Sequence, residues 1–257
     1  MKDKIFLTFD LEEFDLPKEY GQKISEDEMY NVSLNGLDKL LKLLNKYDAR
    51  ATFFVTANFA LKYERVIKEL SKNHEVASHS VSHSSFSEND LKKSKIILEK
   101  IIGKEVKGFR MPRLRKVNYK EMIKAGYAYD SSLNPTFIPG RYNNFSETRI
   151  PHYKNNLLVI PTSVTPVVRF PIFWLDFKVL PLFIFIFLSK INFICDRYIH
   201  LYFHPWEFTD LSKFNIPWYI KFCDGKKMEI KFEKYLRWLK TQGEFFTLCD
   251  MVKIQNQ

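Results

Sequence analysis

The sequence predicts a parallel α/β barrel, or a distorted version of one, built as a single domain. Three observations lead there. Short apolar strands alternate with amphipathic helices through the first half of the chain. The connections between them are short, which demands parallel strands joined by helical crossovers. No Gly/Ser linker, composition break or internal repeat divides the 257 residues.

Lys4 to Phe9, rich in Ile, Phe and Thr, reads as the first strand. Leu34, Leu37, Leu41 and Leu44 recur at helical spacing, with Leu40 and Tyr47 beside them, and predict an amphipathic helix. Ala51 to Thr56 is a second buried strand, Leu61 to Leu70 a helix, and Glu75 to Ala77 a short strand. Ser87-Glu-Asn-Asp90 resembles a capping box that opens a helix from Leu91 to Ile102, and Gly103 closes it. Val106 to Phe109 is a strand, Tyr119 to Lys124 a helix stopped by Gly126, and Tyr127 to Tyr129 a strand. Leu157 to Ile160 and Ile199 to Phe203 are further strands. Glu229 to Lys240 is a helix followed by Gly243, and Glu244 to Leu248 is the last strand. The stretch at about 134–195 is long, marked by prolines and out of the alternation, so an apolar elaboration on the barrel is expected there.

Composition narrows the partners. Hydrophobic content of 46% with 27% charged residues is that of a globular chain. Forty Lys+Arg against thirty Asp+Glu leave a net charge of +10, suited to an anionic partner or to a basic soluble surface. No long Lys/Arg block occurs, so no nucleic-acid partner is expected. Cys195, Cys223 and Cys249 are far apart and read as core thiols in a reducing compartment. The N-terminal MKDKIFLTFDLEE turns acidic too soon for a signal peptide, so a cytoplasmic chain is expected. Between Pro171 and Cys195 the longest uncharged run is Val179 to Ser189, too short for a spanning helix of about 20 residues. A buried helix or strand fits it, as does a face lying on the inner surface of the membrane.

Polar residues gather where the predicted strands end. Asp10 and Glu12 follow the first, His79 and His83 the third, Arg110 the next, Asp130 the one after, and His204 the strand Ile199 to Phe203. The His-x-x-x-His spacing is by itself compatible with a metal site or with a polar surface loop. In a parallel barrel, however, the C-terminal strand ends open onto one face, where chemistry sits. Two histidines and a carboxylate make an open zinc site. A second carboxylate can accept a water proton, a histidine opposite can protonate a leaving amine, and an arginine can hold the base ionised. Such a set suits amide hydrolysis.

LTFDLEEF, SHSVSH, FRMPR, YDSS and LYFHPWEF, in that order, resemble the motifs of the carbohydrate esterase family 4 polysaccharide deacetylases, the NodB-homology group. The resemblance runs from Phe6 to Phe208 and is similar above all to the deacetylases encoded with exopolysaccharide systems. It implies a distorted (β/α)7 barrel and a divalent metal, usually Zn2+. Carried over, Asp10 matches the catalytic base, His79 and His83 the metal histidines, Arg110 the residue orienting the base, His204 the catalytic acid, and Asp130 a group tuning that acid. The commonest form of the family has adjacent aspartates, whereas Leu11 stands at the second position here, as in the D-x-D or D-x-E subgroup. Residues two apart on a strand share a face, so Asp10 and Glu12 can both enter the site, with Glu12 the third ligand and Glu13 or Asp15 nearby spares. The function implied is metal-dependent removal of an N-acetyl group from an amino sugar in a polysaccharide or its lipid- or nucleotide-linked precursor. Alternatives are a deformylase of a lipid-linked amino sugar, an allantoinase-like ureide hydrolase and a sugar-binding pseudoenzyme.

Overall fold

The computed structural model describes residues 2–255. Its strands are β1 (Asp3–Leu11), β2 (Thr52–Val55), β3 (Glu75–Ser78), β4 (Gly108–Phe109), β5 (Tyr129–Asp130), β6 (Phe137–Ile138), β7 (Tyr142–Asn143), β8 (His152–Lys154), β9 (Leu157–Val159), β10 (Tyr198–Phe203) and β11 (Gly243–Phe246). The helices are α1 (Leu16–Glu19), α2 (Glu26–Lys46), α3 (Ala57–Lys62), α4 (Glu64–Asn73), α5 (Asn89–Ile102), α6 (Tyr119–Lys124), α7 (Trp174–Val179), α8 (Leu182–Asp196), α9 (Trp218–Lys221), α10 (Gly225–Gln242) and α11 (Leu248–Gln255).

Seven strands run parallel in the order β10-β1-β2-β3-β4-β5-β9 and curl into an incompletely closed barrel, the distorted (β/α)7 architecture expected. β9 and β10 share no ladder. The gap is bridged after β9, where the Ser163 N–H donates to the His200 carbonyl at 2.9 Å and Ser163 Oγ accepts from the His200 N–H at 2.8 Å. β8 pairs antiparallel with β9, and β11 pairs with the first half of β1.

Strand β1 explains how the chain reads as a nearly continuous apolar run. Ile5, Leu7, Phe9 and Leu11 pack outward into the large core beneath the helices. Phe6 points inward, into a smaller core with Phe54, Ala77, Tyr129, Leu158 and Ile160, closed from below by Leu248 and Met251 of α11. A strand buried on both faces needs apolar residues at both parities. Thr8 and Asp10, also buried, share the parity of Phe6 and lie nearer the C-terminal end.

Several elements differ from the sequence reading. The helix expected over Leu61 to Leu70 is two, α3 and α4, broken at Tyr63. The Ser87 capping box is half-formed: the Asp90 carboxylate accepts from the Ser87 N–H at 2.7 Å. The elaboration at 134–195 supplies a barrel strand, β9, as well as the β6-β7 hairpin and helices α7 and α8. Within it Phe177 and Phe185 are buried against each other and against Tyr235 of α10. The expectation of core thiols holds for Cys223 alone, since Cys195 is exposed and Cys249 half-buried.

Gly36 of α2 sets where the chain after β10 can lie. A Cβ there would sit 1.8 Å from the Pro205 carbonyl oxygen, a backbone atom that no rotamer change can move. The missing side chain lets α2 press against the 3-10 turn Pro205–Phe208 and so fixes the position of His204 before it. Gly36→Ala is expected to cost about 1–3 kcal/mol of stability through overpacking, measured by urea unfolding.

Candidate active site

Six of the seven residues singled out in the sequence converge at the C-terminal ends of the barrel strands. Asp10 and Glu12 come from the end of β1, His79 and His83 from the loop after β3, Arg110 from the residue after β4, and His204 from the residue after β10. All six are buried. The histidine loop is irregular rather than helical. It is pinned by α3, whose first amides have no partner within the helix: the Ala57 and Asn58 N–H groups donate to the Ser80 and Val81 carbonyls, each at 3.0 Å. Ser80 takes a positive φ of 68°, which turns the chain between the two histidines.

Glu12 Oε2 lies 3.0 Å from His79 Nε2 and 3.3 Å from His83 Nε2. These three ligand atoms fall within 4.8 Å of one another. Two donors each about 2 Å from a shared tetrahedral ion stand about 3.3 Å apart, so the spacing fits. The far nitrogens are also occupied. His79 Nδ1–H donates to the Arg110 carbonyl at 2.8 Å, and His83 Nδ1–H donates to Asp15 Oδ1 at 2.8 Å. Both bonds leave Nε2 facing Glu12, as imidazoles that hold a metal are arranged. Asp15 therefore backs a histidine and is not a spare ligand. Glu13 accepts from Tyr30 and Thr56, also behind the site. Burial pushes the Glu12 carboxyl up, but the His83, His79 and His204 rings together bring it down to about 2. Burial lowers the His83 imidazole, while Glu12 and Asp15 raise it to about 9.

Arg110 is fully buried and has acceptors on every side. Its Nη1–H donates to Asp10 Oδ1 at 2.6 Å, Nε–H to the Ser131 carbonyl at 3.0 Å, and Nη2 to Thr8 Oγ1 at 2.9 Å and Ser131 Oγ at 3.0 Å. His200 Nε2 lies 3.2 Å from the same nitrogen. Since His200 Nδ1–H donates to the Pro161 carbonyl, Nε2 is left as the acceptor. Burial and the Arg110 charge push that ring down to about 3, so it stays neutral. The guanidinium also lies 4.1 Å over the Phe54 ring. Asp10 keeps Oδ2 free of Arg110, 4.0 Å from His79 Nε2 and 3.9 Å from His204 Nε2.

His204 stacks on Trp206 with ring centres 4.6 Å apart, and Trp174 meets it edge-on. Its Nδ1–H donates to Glu207 Oε1 at 3.0 Å, and its backbone N–H reaches the same oxygen at 2.6 Å. Asp130 is the residue the sequence suggested as tuning this ring. The Asp130 carboxylate turns instead to the Ser132 N–H and hydroxyl and lines a neighbouring pocket with Leu114 and Asn144. Burial raises its carboxyl to about 6, against the pull of Ser132 and Arg110. Glu207, three residues after His204, holds the position that Asp130 was expected to fill. Beneath it lies buried Lys178, whose ammonium sits between the Trp174 and Trp206 rings.

The group opens into a cleft of about 1110 Å³. Arg113, Arg115, Lys116 and Arg141 line it, as do Leu175, Tyr219 and Ile220. Arg113 is tied to Asp15 and Glu19, whereas Arg115, Lys116 and Arg141 have no acidic partner among the described residues.

Barrel, cleft and convergent strand-end residues define a hydrolase-type α/β barrel of the deacetylase fold. Residues 2–129 match the polysaccharide deacetylase family. Solved structures agree on the fold. A protein from Pseudomonas aeruginosa PAO1 described as a probable polysaccharide deacetylase is 14% identical, with 97% of this chain and 89% of that chain covered and a TM-score of 0.66. The Puue allantoinase is 15% identical at the same coverage and TM-score. A CE4-family pseudoenzyme from Bacillus anthracis is 14% identical, with 98% of this chain and 66% of that chain covered and a TM-score of 0.54. At these identities the likeness is one of fold alone. A search of curated proteins found no match.

Replacing Arg110 by Met would leave Asp10, Thr8 and His200 buried without their shared donor. The expected loss is about 3–5 kcal/mol, read from urea unfolding at neutral pH.

Proposed function

We propose that residues 1–257 act as one catalytic domain that hydrolyses the N-acetyl group of an amino sugar, in a polysaccharide or in its nucleotide- or lipid-linked precursor. The observation that carries this reading is the Glu12–His79–His83 triangle beside Asp10 and His204. Glu12, His79 and His83 would hold a divalent cation, for which zinc suits the donor set. When bound, such an ion polarises the amide carbonyl and lowers the pKa of a water. The remaining work falls to the chain. Asp10, held at Oδ1 by Arg110, offers Oδ2 to take the water proton. His204, held at Nδ1 by Glu207, presents Nε2 across the site to protonate the departing nitrogen. Trp174 and Trp206 pack on its ring and fix its plane. The basic lining by Arg115, Lys116 and Arg141 favours an anionic saccharide, such as a phosphate-bearing precursor made inside the cell.

The test is metal content per chain for the wild type and for His79→Ala/His83→Ala, followed by activity on acetamido and formamido sugars. About one ion, lost in the double variant without unfolding, together with acetate release, is expected. Asp10→Asn should keep the ion and lose two or more orders of magnitude in kcat. A fully active Asp10→Asn, or a folded protein that takes up no zinc, would sink the mechanism. Formate release instead of acetate would assign the deformylase activity.

Asp15 gives a separate check. Asp15→Asn should weaken zinc binding by about 10–100-fold with little change in kcat at saturating metal, measured by competition with a chromophoric chelator.

A further inference from the structure

Helix α8 is apolar nearly all round. Its inner side buries Phe185 and Phe193. The outer side carries Phe183, Phe187 and Ile194, which are 73%, 62% and 77% exposed. These fall at i, i+4 and i+11, one stripe of a helix. A surface helix ordinarily turns charged residues outward; here the one charged residue on the stripe is Lys190. A second group of exposed apolar side chains lies on α9. α7 packs against both α8 and α9, and at α9 Trp218 and Phe222 are 66% and 55% exposed. Large exposed apolar side chains gathered on helices that share a neighbour mark an interaction site.

Its edge is basic. Lys231 of α10 donates to the Lys178 and Leu180 carbonyls at the α7–α8 turn, which fixes α10 alongside the patch. Lys227 and Lys234 stand one turn to either side of Lys231 on the same helix face. Lys190, Lys227 and Lys234 have no acidic partner among the described residues. No helix among the described residues is long and apolar enough to cross a membrane. An apolar helix face rimmed by lysines, too short to span, has the form of a helix that lies in the plane of an anionic bilayer.

We propose that α8 and α9 form a membrane-docking face that seats the protein on an anionic lipid surface. The insertion points are Phe183, Phe187 and Ile194 with Trp218 and Phe222, and the lysines meet the headgroups. Docking also orients the cleft. Tyr219 and Ile220 of α9, and Leu175 of α7, which packs on α8 and α9, line it, so α9 carries part of the patch and part of the wall of the site. A saccharide attached to the membrane by a phosphate-bearing lipid would then enter past this wall, toward Arg115, Lys116 and Arg141. The substrate half of the inference rests on the deacetylase reading; the docking half does not.

The experiment is co-sedimentation of the full chain with vesicles of phosphatidylcholine alone and of phosphatidylcholine mixed with phosphatidylglycerol. The wild type should pellet with the mixed vesicles and far less with the neutral ones. Phe183→Ser/Phe187→Ser should lower the partition coefficient about tenfold or more without changing the circular dichroism melt, because both rings are already in water. Trp218→Ser/Phe222→Ser, on a separate element, should do the same. No pelleting with mixed vesicles, or unchanged pelleting in both variants, overturns the proposal. So does a dimer seen by light scattering that Phe183→Ser/Phe187→Ser dissolves while the wild type ignores vesicles, an outcome that assigns the face to a second copy. Vesicle binding without hydrolysis of any acetamido sugar would sink the deacetylase reading and leave docking standing. Hydrolysis of soluble acetamido sugars without vesicle binding would sink docking alone.

Discussion

A guanidinium in the middle of a barrel is the constraint around which this molecule is built. Arg110 has no exposed surface, and a charge taken out of water is tolerated only if it is paired and its donors are filled. The partners come from three other strands or the residue just after one: Asp10 and Thr8 of β1, Ser131 after β5 and His200 within β10. Each is on or next to a strand that must hold its register for the network to close. His200 also bonds Ser163 and Pro161, across the gap where β9 and β10 have no ladder. The network that fixes Asp10 therefore also ties together the weakest seam of the barrel. Stability and placement of the carboxylate are the same interaction.

Above Arg110 the side chains form two histidine arms around Asp10, and they are built alike. In one, the Arg110 carbonyl and Asp15 lock the Nδ1 atoms of His79 and His83. In the other, Glu207 locks Nδ1 of His204. In each arm a buried acceptor behind the ring decides which nitrogen faces the cleft. The acceptors are also charged in excess. Asp10, Glu12, Asp15 and Glu207 are all buried, with Arg110, Arg113 and Lys178 as the cations near them. The Glu12 and Asp15 carboxylates on either side of His83 raise its imidazole against the effect of burial. A divalent ion between Glu12, His79 and His83 would balance the same carboxylates and would bind the imidazoles in their neutral form.

How much of this was legible in the sequence follows the range of the interaction involved. The shared parity of Asp10 and Glu12 is local, and it puts both on one face of the first strand. The helix Tyr119–Lys124 and the αL stop at Gly103 are local too, and both stand as read. β4 and β5 are only two residues each, because what makes them strands is pairing with neighbours far away in sequence; periodicity cannot set such bounds. Asp130 is read as the partner of His204, and Glu207 is not read at all, for a related reason. Position after a strand says that a side chain is near the site, but not which way it turns. Glu207 could have been found: a carboxylate three residues after a histidine at the start of a turn can accept from the histidine backbone and ring together. The apolar stretch after Pro171 combined two signals, core and surface, on opposite sides of α8. A run that is apolar at every position has no period to separate them.

Leu11 is the residue at which this chain leaves the commonest form of the family it resembles, and the fold gives it a definite place. It packs in the outer core with no exposure, on the face of β1 opposite Asp10. An aspartate there, on this backbone, would point among apolar side chains and away from the histidines. The carboxylate next to His79 and His83 must come from the other parity, and Glu12 supplies it. β1 ends at Leu11, so Glu12 stands on the first residue past the ladder, where the chain already turns toward Phe14 and Trp206. Trp206 Nε1–H, 3.3 Å from Glu12 Oε1, holds the second carboxylate oxygen in place. The tryptophan that stacks on His204 thus also steadies Glu12, and the two arms of the site are joined through a single indole. Aspartate at position 12 would be shorter by one carbon, about 1.5 Å, and could not reach both the histidines and the indole from the same backbone. On this backbone the length of the glutamate is what lets one carboxylate meet both the histidines and the Trp206 indole.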